Sequence, residues 1–180
     1  MKKIFILLML IVPVSMFAQQ KFGYVNSAEV IQVMPEFEKA QKELKDLEKM
    51  YTDEFNGMRT ELEKKGTEFE KLQKDSVPEN ILKRRYEELM QLEERLRQYS
   101  QEVTTNLQQA EQEKMYAIQQ ALRGALDTVG AEGGYICIFD LSGGIPYISK
   151  SLCEDVTMKV RAKLGIPANA VPAANLFQAN

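Results

Sequence analysis

The two cysteines, Cys137 and Cys153, are the strongest nucleophiles and softest metal ligands in the chain. They are not spaced as metal ligands. The chain has no histidine and no tryptophan. A Ser-His-Asp or Cys-His centre therefore cannot be built, and the usual base of near-neutral pKa is missing. Carboxylates are plentiful, 26 Asp and Glu against 23 Lys and Arg, but they recur every few residues along helical stretches, which is the pattern of a solvated helix face. These residue types speak against an enzyme, and neither cofactor nor metal is expected. Without Lys2 and Lys3 the balance is 21 basic against 26 acidic residues, a net of −5, which does not describe a general nucleic-acid binder.

The elements that carry these residues begin with a leader. Met1-Lys2-Lys3 is a short cationic start, Ile4 to Phe17 is apolar, and Ala18-Gln19 puts a small residue before a polar one. This is the pattern of a cleaved secretory signal peptide spanning 1–18, and its apolar run is shorter than the roughly 20 residues that cross a bilayer. The expected destination is an oxidising compartment outside the cytoplasm. There, an oxidising environment permits a disulfide, but Cys137 and Cys153 are expected as two separate, at least partly buried thiols.

Lys21 to Asn26 reads as a short strand, and Asn26 with Glu29 as the reciprocal cap of a short helix ended by Met34-Pro35. From Phe37 to Leu72 apolar residues recur at steps of three and four, interrupted once at Gly66. From Leu82 to Leu126 they do so again. Two such stripes zip into an antiparallel hairpin, with steps nearer 3.6 than 3.5 and so little supercoil. About 38 residues out and about 50 back, at 1.5 Å each, give arms of roughly 55 to 75 Å. The turn falls near 74–80, where Ser76 and Glu79 suggest a second capping box.

Gly130 and Gly133-Gly134 are expected to end the return helix. Tyr135 to Phe139 reads as a strand covered on both faces, Tyr147-Ile148-Ser149 as a second strand paired with it as a hairpin, and Ser151 with Glu154 as the cap of a last helix carrying Leu152, Val156, Val160 and Leu164. The resulting organisation is a leader at 1–18, a small β body from 19–35 and 128–165, a helical arm at 36–127, and a flexible tail at 166–180. The fold class is α+β, mostly α. The body strands are too short to be stable alone. Phe22, Tyr24, Val25, Ile136, Ile138, Phe139, Tyr147 and Ile148 need partner strands to cover them, and self-association is the simplest remedy.

This order of leader, Gly23-Tyr24-Val25-Asn26 strand, Met34-Pro35, charged hairpin, Tyr135 to Phe139, Tyr147-Ile148 and Glu154-Asp155-Val156-Thr157 resembles the Skp/OmpH family over about Lys21 to Gly165. The resemblance implies a homotrimer with a central β body, three hairpin arms around a cavity, and ATP-independent holding of unfolded outer-membrane proteins. Holding needs many weak, adaptable contacts, for which flexible thioether side chains are suited. Met50, Met90 and Met115, off the seam, and Phe55 and Met58, at its edge, are the candidates for client contact. The chain departs from the strongly basic members of the family by being mildly acidic. Locally the sign reverses, since Lys71, Lys74, Lys83, Arg84 and Arg85 outnumber Asp75 and Glu79 at the arm tip, a net of +3. Such a tip is suited to transient contact with an anionic membrane surface. A coiled-coil spacer of the envelope, with the same arms and no clients, is the alternative reading.

Overall fold

Gly23 sits at a close approach in the body: a Cβ added there would lie 3.1 Å from Val156 Cγ1, 3.3 Å from Tyr135 Cδ1 and 3.4 Å from Ile138 Cγ1. The computed structural model describes residues 20–172, so the leader at 1–18 and the tail from 173 lie outside the described residues. Strand β1 (Lys21–Val25) is followed by α1 (Ser27–Ile31), α2 (Pro35–Lys74), α3 (Glu79–Gly133), β2 (Tyr135–Asp140), a 3-10 turn at Leu141–Gly143, β3 (Cys153–Asp155) and α4 (Thr157–Lys163). The chain forms two compact units. One comprises the residues up to Phe37 and from Ile118 onward, the other Glu38–Ala117.

In the first unit β1 is the middle strand of the order β2-β1-β3, and both pairings are parallel. This corrects the expected β2 hairpin. Tyr147–Ser149 forms no strand, and the partner is instead Cys153–Asp155, on the other side of β1. The reason is a turn: the amides of Leu152 and Cys153 both donate to the Ser149 carbonyl. The dozen or so residues after β2 are enough for a parallel return, which a tight hairpin turn cannot make. The last helix is shifted accordingly. Ser151 does not cap it. Asp155 Oδ1 accepts from the Thr157 amide at 2.9 Å, Leu152 lies outside the helix at 78% exposure, and Val156 and Val160 are fully buried.

Asn26 does pair with Glu29, through its side chain on both legs: its Oδ1 accepts from the Glu29 amide and its Nδ2 donates to Glu29 Oε1 at 2.7 Å. Gly130 does not end α3. The helix runs to Gly133, and Gly134, at φ 65°, makes the left-handed exit that a glycine takes without strain. Helix α3 buries Ile118, Leu122, Ala125 and Val129 at steps of four, three and four, a core-facing stripe. Val25, Val30, Val33, Met34, Val156, Val160 and Ile166 complete the core. Ile166 was expected in the flexible tail, but is buried and donates its amide to the Arg161 carbonyl.

In the second unit α2 and α3 lie antiparallel around the turn at 75–78. The stripe read from the sequence is the half-buried one, Leu44, Leu47, Tyr51, Phe55, Met58, Leu62, Phe69 and Leu72 on α2. Gly66 interrupts the stripe but not the helix. At the turn the expected Ser76–Glu79 cap gives way to another geometry. Ser76 takes φ 52°, and the amides of Ile81 and Leu82, the third and fourth residues of α3, donate to the Pro78 carbonyl. Glu54 and Lys114, charged groups near the seam, are latched across it: Tyr99 donates to Glu54 Oε2 at 2.8 Å and Lys114 pairs with Glu43. Tyr51 meets Tyr99 edge-on at 6.3 Å, and Phe69 meets Tyr86 at 6.1 Å.

Candidate functional site

Parallel pairing puts Cα partners on the same face of a sheet, so the register sorts the body side chains. Phe22 is level with Cys137 and with Cys153, and Tyr24 is level with Phe139 and with Asp155. These six share one face, and Phe22 stacks on Phe139 at 6.3 Å. None of the six is buried. The opposite face carries Gly23, Val25 and Ile138 toward the helices. A bulge between Lys21 and Phe22 in the β1–β2 ladder leaves Ile136 without a partner and 61% exposed. That extra residue explains why Tyr135 to Phe139 shows no apolar alternation, and it corrects the expectation of a strand covered on both faces.

The eight residues expected to need partner strands thus separate. Val25, at 1% exposure, and Ile138, packed on Gly23 and Gly130, are satisfied within the chain. Phe22, Tyr24 and Phe139 lie on the open face, Ile136 is in the bulge, and Tyr147, at 81% exposure, and Ile148 are in a loop. Among the described residues both outer strands, β2 and β3, have an unpaired backbone edge. Phe22, Tyr24 and Phe139 are thus left without a covering layer among the described residues. Burial raises the Tyr24 phenol pKa, and the adjacent Asp155 carboxylate adds to it.

One corner of the body is polar. Glu154 pairs with Lys159 and, at 3.0 Å, with Lys21, whose ammonium sits 4.3 Å from the centre of the Tyr135 ring. Lys159, then Tyr135 and Lys21, hold the Glu154 carboxyl at about 2. A carboxylate with a folded pKa below its ordinary 4.5 stabilises the fold above 4.5, and loses that contribution as the pH falls toward 2. The urea midpoint of the wild type is therefore expected to fall between pH 4.5 and 2 more steeply than that of Glu154→Gln; parallel curves would remove the cluster from acid stability. On the other side Asp140 accepts from the Ser27 hydroxyl at 2.6 Å and from the Ser27 and Ser142 amides. Burial works to raise its pKa, but these bonds outweigh that and hold it low.

On the arm, Met50 is 53% and Met90 40% exposed, while Phe55, Met58 and Met115 are half-buried. Tyr86, at 52%, and Tyr116, at 64%, are further exposed apolar groups. Tyr86 falls within the apolar stripe that runs from Leu82 to Leu126, and Tyr116 lies off it. From Glu38 to Ala117 only Ala40, Gln41 and Leu92 are buried. Near the turn Lys65, Lys71, Arg85, Glu68 and Glu88 line a cleft with Phe69, Leu72 and Leu89, and Arg85 pairs with Glu88 at 2.7 Å. Lys74, Lys83 and Arg84 are exposed beside it, Arg84 3.9 Å from Glu88. Among the described residues no cluster of three or more His, Cys, Asp or Glu could hold a metal, and no helix is long and apolar enough to cross a membrane.

A family model described as outer membrane protein (OmpH-like) matches residues 21–164. The chain belongs to the OmpH-like family. The match begins at the first residue of β1 and ends one residue past α4, so it takes in the whole sheet and both arm helices. A crystal structure of a candidate outer membrane chaperone (OmpH-like) from Caulobacter crescentus CB15 superposes with a TM-score of 0.69 at 15% identity, covering 88% of this chain and 94% of that one. At that identity the likeness is one of fold. No curated protein matches in sequence.

Proposed function

We propose that this OmpH-like protein is an ATP-independent periplasmic holding chaperone, acting as a homotrimer whose arms hold unfolded outer-membrane proteins without catalysing a reaction. The observation that carries the reading is the arm's poverty of buried side chains: a long hairpin with three buried residues keeps its apolar seam partly open to solvent. Such a surface offers many weak contacts of no fixed direction, which bind varied unfolded segments and release them without an energy source. Met50 and Met90 offer exposed thioethers, and Phe55, Met58 and Met115 lie within reach of the seam edge. The bare face of Phe22, Tyr24 and Phe139 supports the trimer, because monomers rarely leave contiguous apolar surface uncovered. The family and the Caulobacter protein's description support a chaperone role. The tip cations, Lys71, Lys74, Lys83, Arg84 and Arg85, are suited to brief contact with anionic headgroups.

Dilution of an unfolded β-barrel protein from urea tests the reading. The purified protein at equimolar trimer is expected to suppress light scattering from the barrel protein by at least several-fold, with no nucleotide present. Scattering unchanged from the buffer control would favour the spacer, which needs the same arms and no clients.

A further inference from the structure

Cys137 and Cys153 stand on opposite edge strands at the same height, each the Cα partner of Phe22. With strands about 4.8 Å apart, their Cα atoms are separated by about 9.6 Å across β1. A disulfide needs Cα atoms within about 7 Å, so the two cannot join within one chain without the sheet breaking. Both side chains lie on the open face, with Cys137 exposed and Cys153 half-buried.

We infer that Cys137 of one copy and Cys153 of the next form a disulfide that locks the trimer covalently, a modification site that rests on the trimer reading above. All three strands run parallel, so a copy related by rotation brings its β3 edge to this copy's β2 edge with every strand still parallel. The register of that junction is constrained. Slipping by an odd number of residues turns the apolar face outward. A slip of two in one direction sets Cys153 to Asp155 of the neighbour against the bulge at Ile136. A slip of two in the other direction runs β3 past the end of β2 into the turn at Leu141 and sets Glu154 against Asp140. The register clear of both opposes Cys153, Glu154 and Asp155 to Cys137, Ile138 and Phe139. The two cysteines then face each other about 4.8 Å apart, within the roughly 4.4 to 6.8 Å of disulfides.

The reaction is thiol–disulfide exchange with a disulfide oxidant. One cysteine thiolate attacks the oxidant, expelling one of its thiols, and the neighbour's thiolate then attacks the mixed disulfide and expels the second. Two protein thiols lose two protons and two electrons, and the oxidant's S–S bond is reduced to two thiols.

The test uses purified protein, first reduced and sized by light scattering, then treated with oxidised glutathione and run on a denaturing non-reducing gel. Expected is a trimer before oxidation, and afterwards bands at about two and three times the chain mass with nothing larger. Cys137→Ser and Cys153→Ser should each abolish both bands, and co-refolding the two variants should restore the dimer band alone. Circular dichroism checks that each variant is folded, and Cys→Ala versions replace any that are not. A reduced trimer that gives no cross-link, or a single variant that still gives dimers, overturns the disulfide and leaves the trimer standing. A reduced monomer overturns the trimer reading and the disulfide with it.

Discussion

Phe139→Asp is expected to separate the proposed trimer into folded monomers, while Ile138→Asp one position earlier unfolds the body. The two side chains point to opposite faces of β2. Phe139 lies on the open face stacked on Phe22, where a carboxylate is hydrated in the monomer and becomes an unpaired buried charge only on association. Losing the aromatic anchor as well should weaken each subunit contact by about 2 to 4 kcal/mol, or about 30- to 1,000-fold. Ile138 lies 3.4 Å from the Cβ position of Gly23 and 3.8 Å from that of Gly130. A charge there costs on the order of 3 to 5 kcal/mol, a large part of the roughly 5 to 15 kcal/mol that holds a domain together. Light scattering and circular dichroism separate the outcomes. If both variants stay trimeric and folded, the open face is not the subunit contact.

Leu92→Ala should loosen the arm alone. Leu92, at 7% exposure, is the one large apolar side chain buried between Glu38 and Ala117. Truncation of a buried Leu costs about 2 to 5 kcal/mol, and a thin two-helix seam that can collapse into the gap should sit near the lower end. About 2 kcal/mol corresponds to amide exchange roughly 30-fold faster around position 92, with β2 and the Val156–Val160 segment unchanged. Gly66→Ala should act in the opposite direction. Nothing lies within 4 Å of the added Cβ, so about 1 kcal/mol of helix propensity is gained without steric cost. Exchange in the arm that ignores both substitutions would show that the seam is not what limits its opening.

The arm was legible because its information is local. Helical periodicity depends on neighbours three and four positions away, so the stripe from Leu44 to Leu72 could be read directly and reappears as the half-buried face. Its cross-seam latches, Tyr99 to Glu54 and Lys114 to Glu43, were not legible, since they join positions far apart in sequence. The Ser76–Glu79 cap was a plausible local motif, but the turn geometry at Pro78 overrode it.

The β body was legible only in outline. Composition, the missing histidine and the apolar patterning set by themselves the helical hairpin, the small terminal sheet and the absence of the usual catalytic constellations. Which segments pair, and on which side, was decided by tertiary structure. Strand pairing is non-local, and a sheet of short strands gains its stability from whatever edge β1 leaves free. Tyr147-Ile148 had the stronger strand composition, yet Cys153–Asp155 took the place beside β1, because the Ser149 turn delivers it there in parallel. The bulge at Ile136 then set which side chains face the helices and which the open face. It thereby placed Cys137 level with Cys153 across Phe22, a juxtaposition that no spacing along the chain could show.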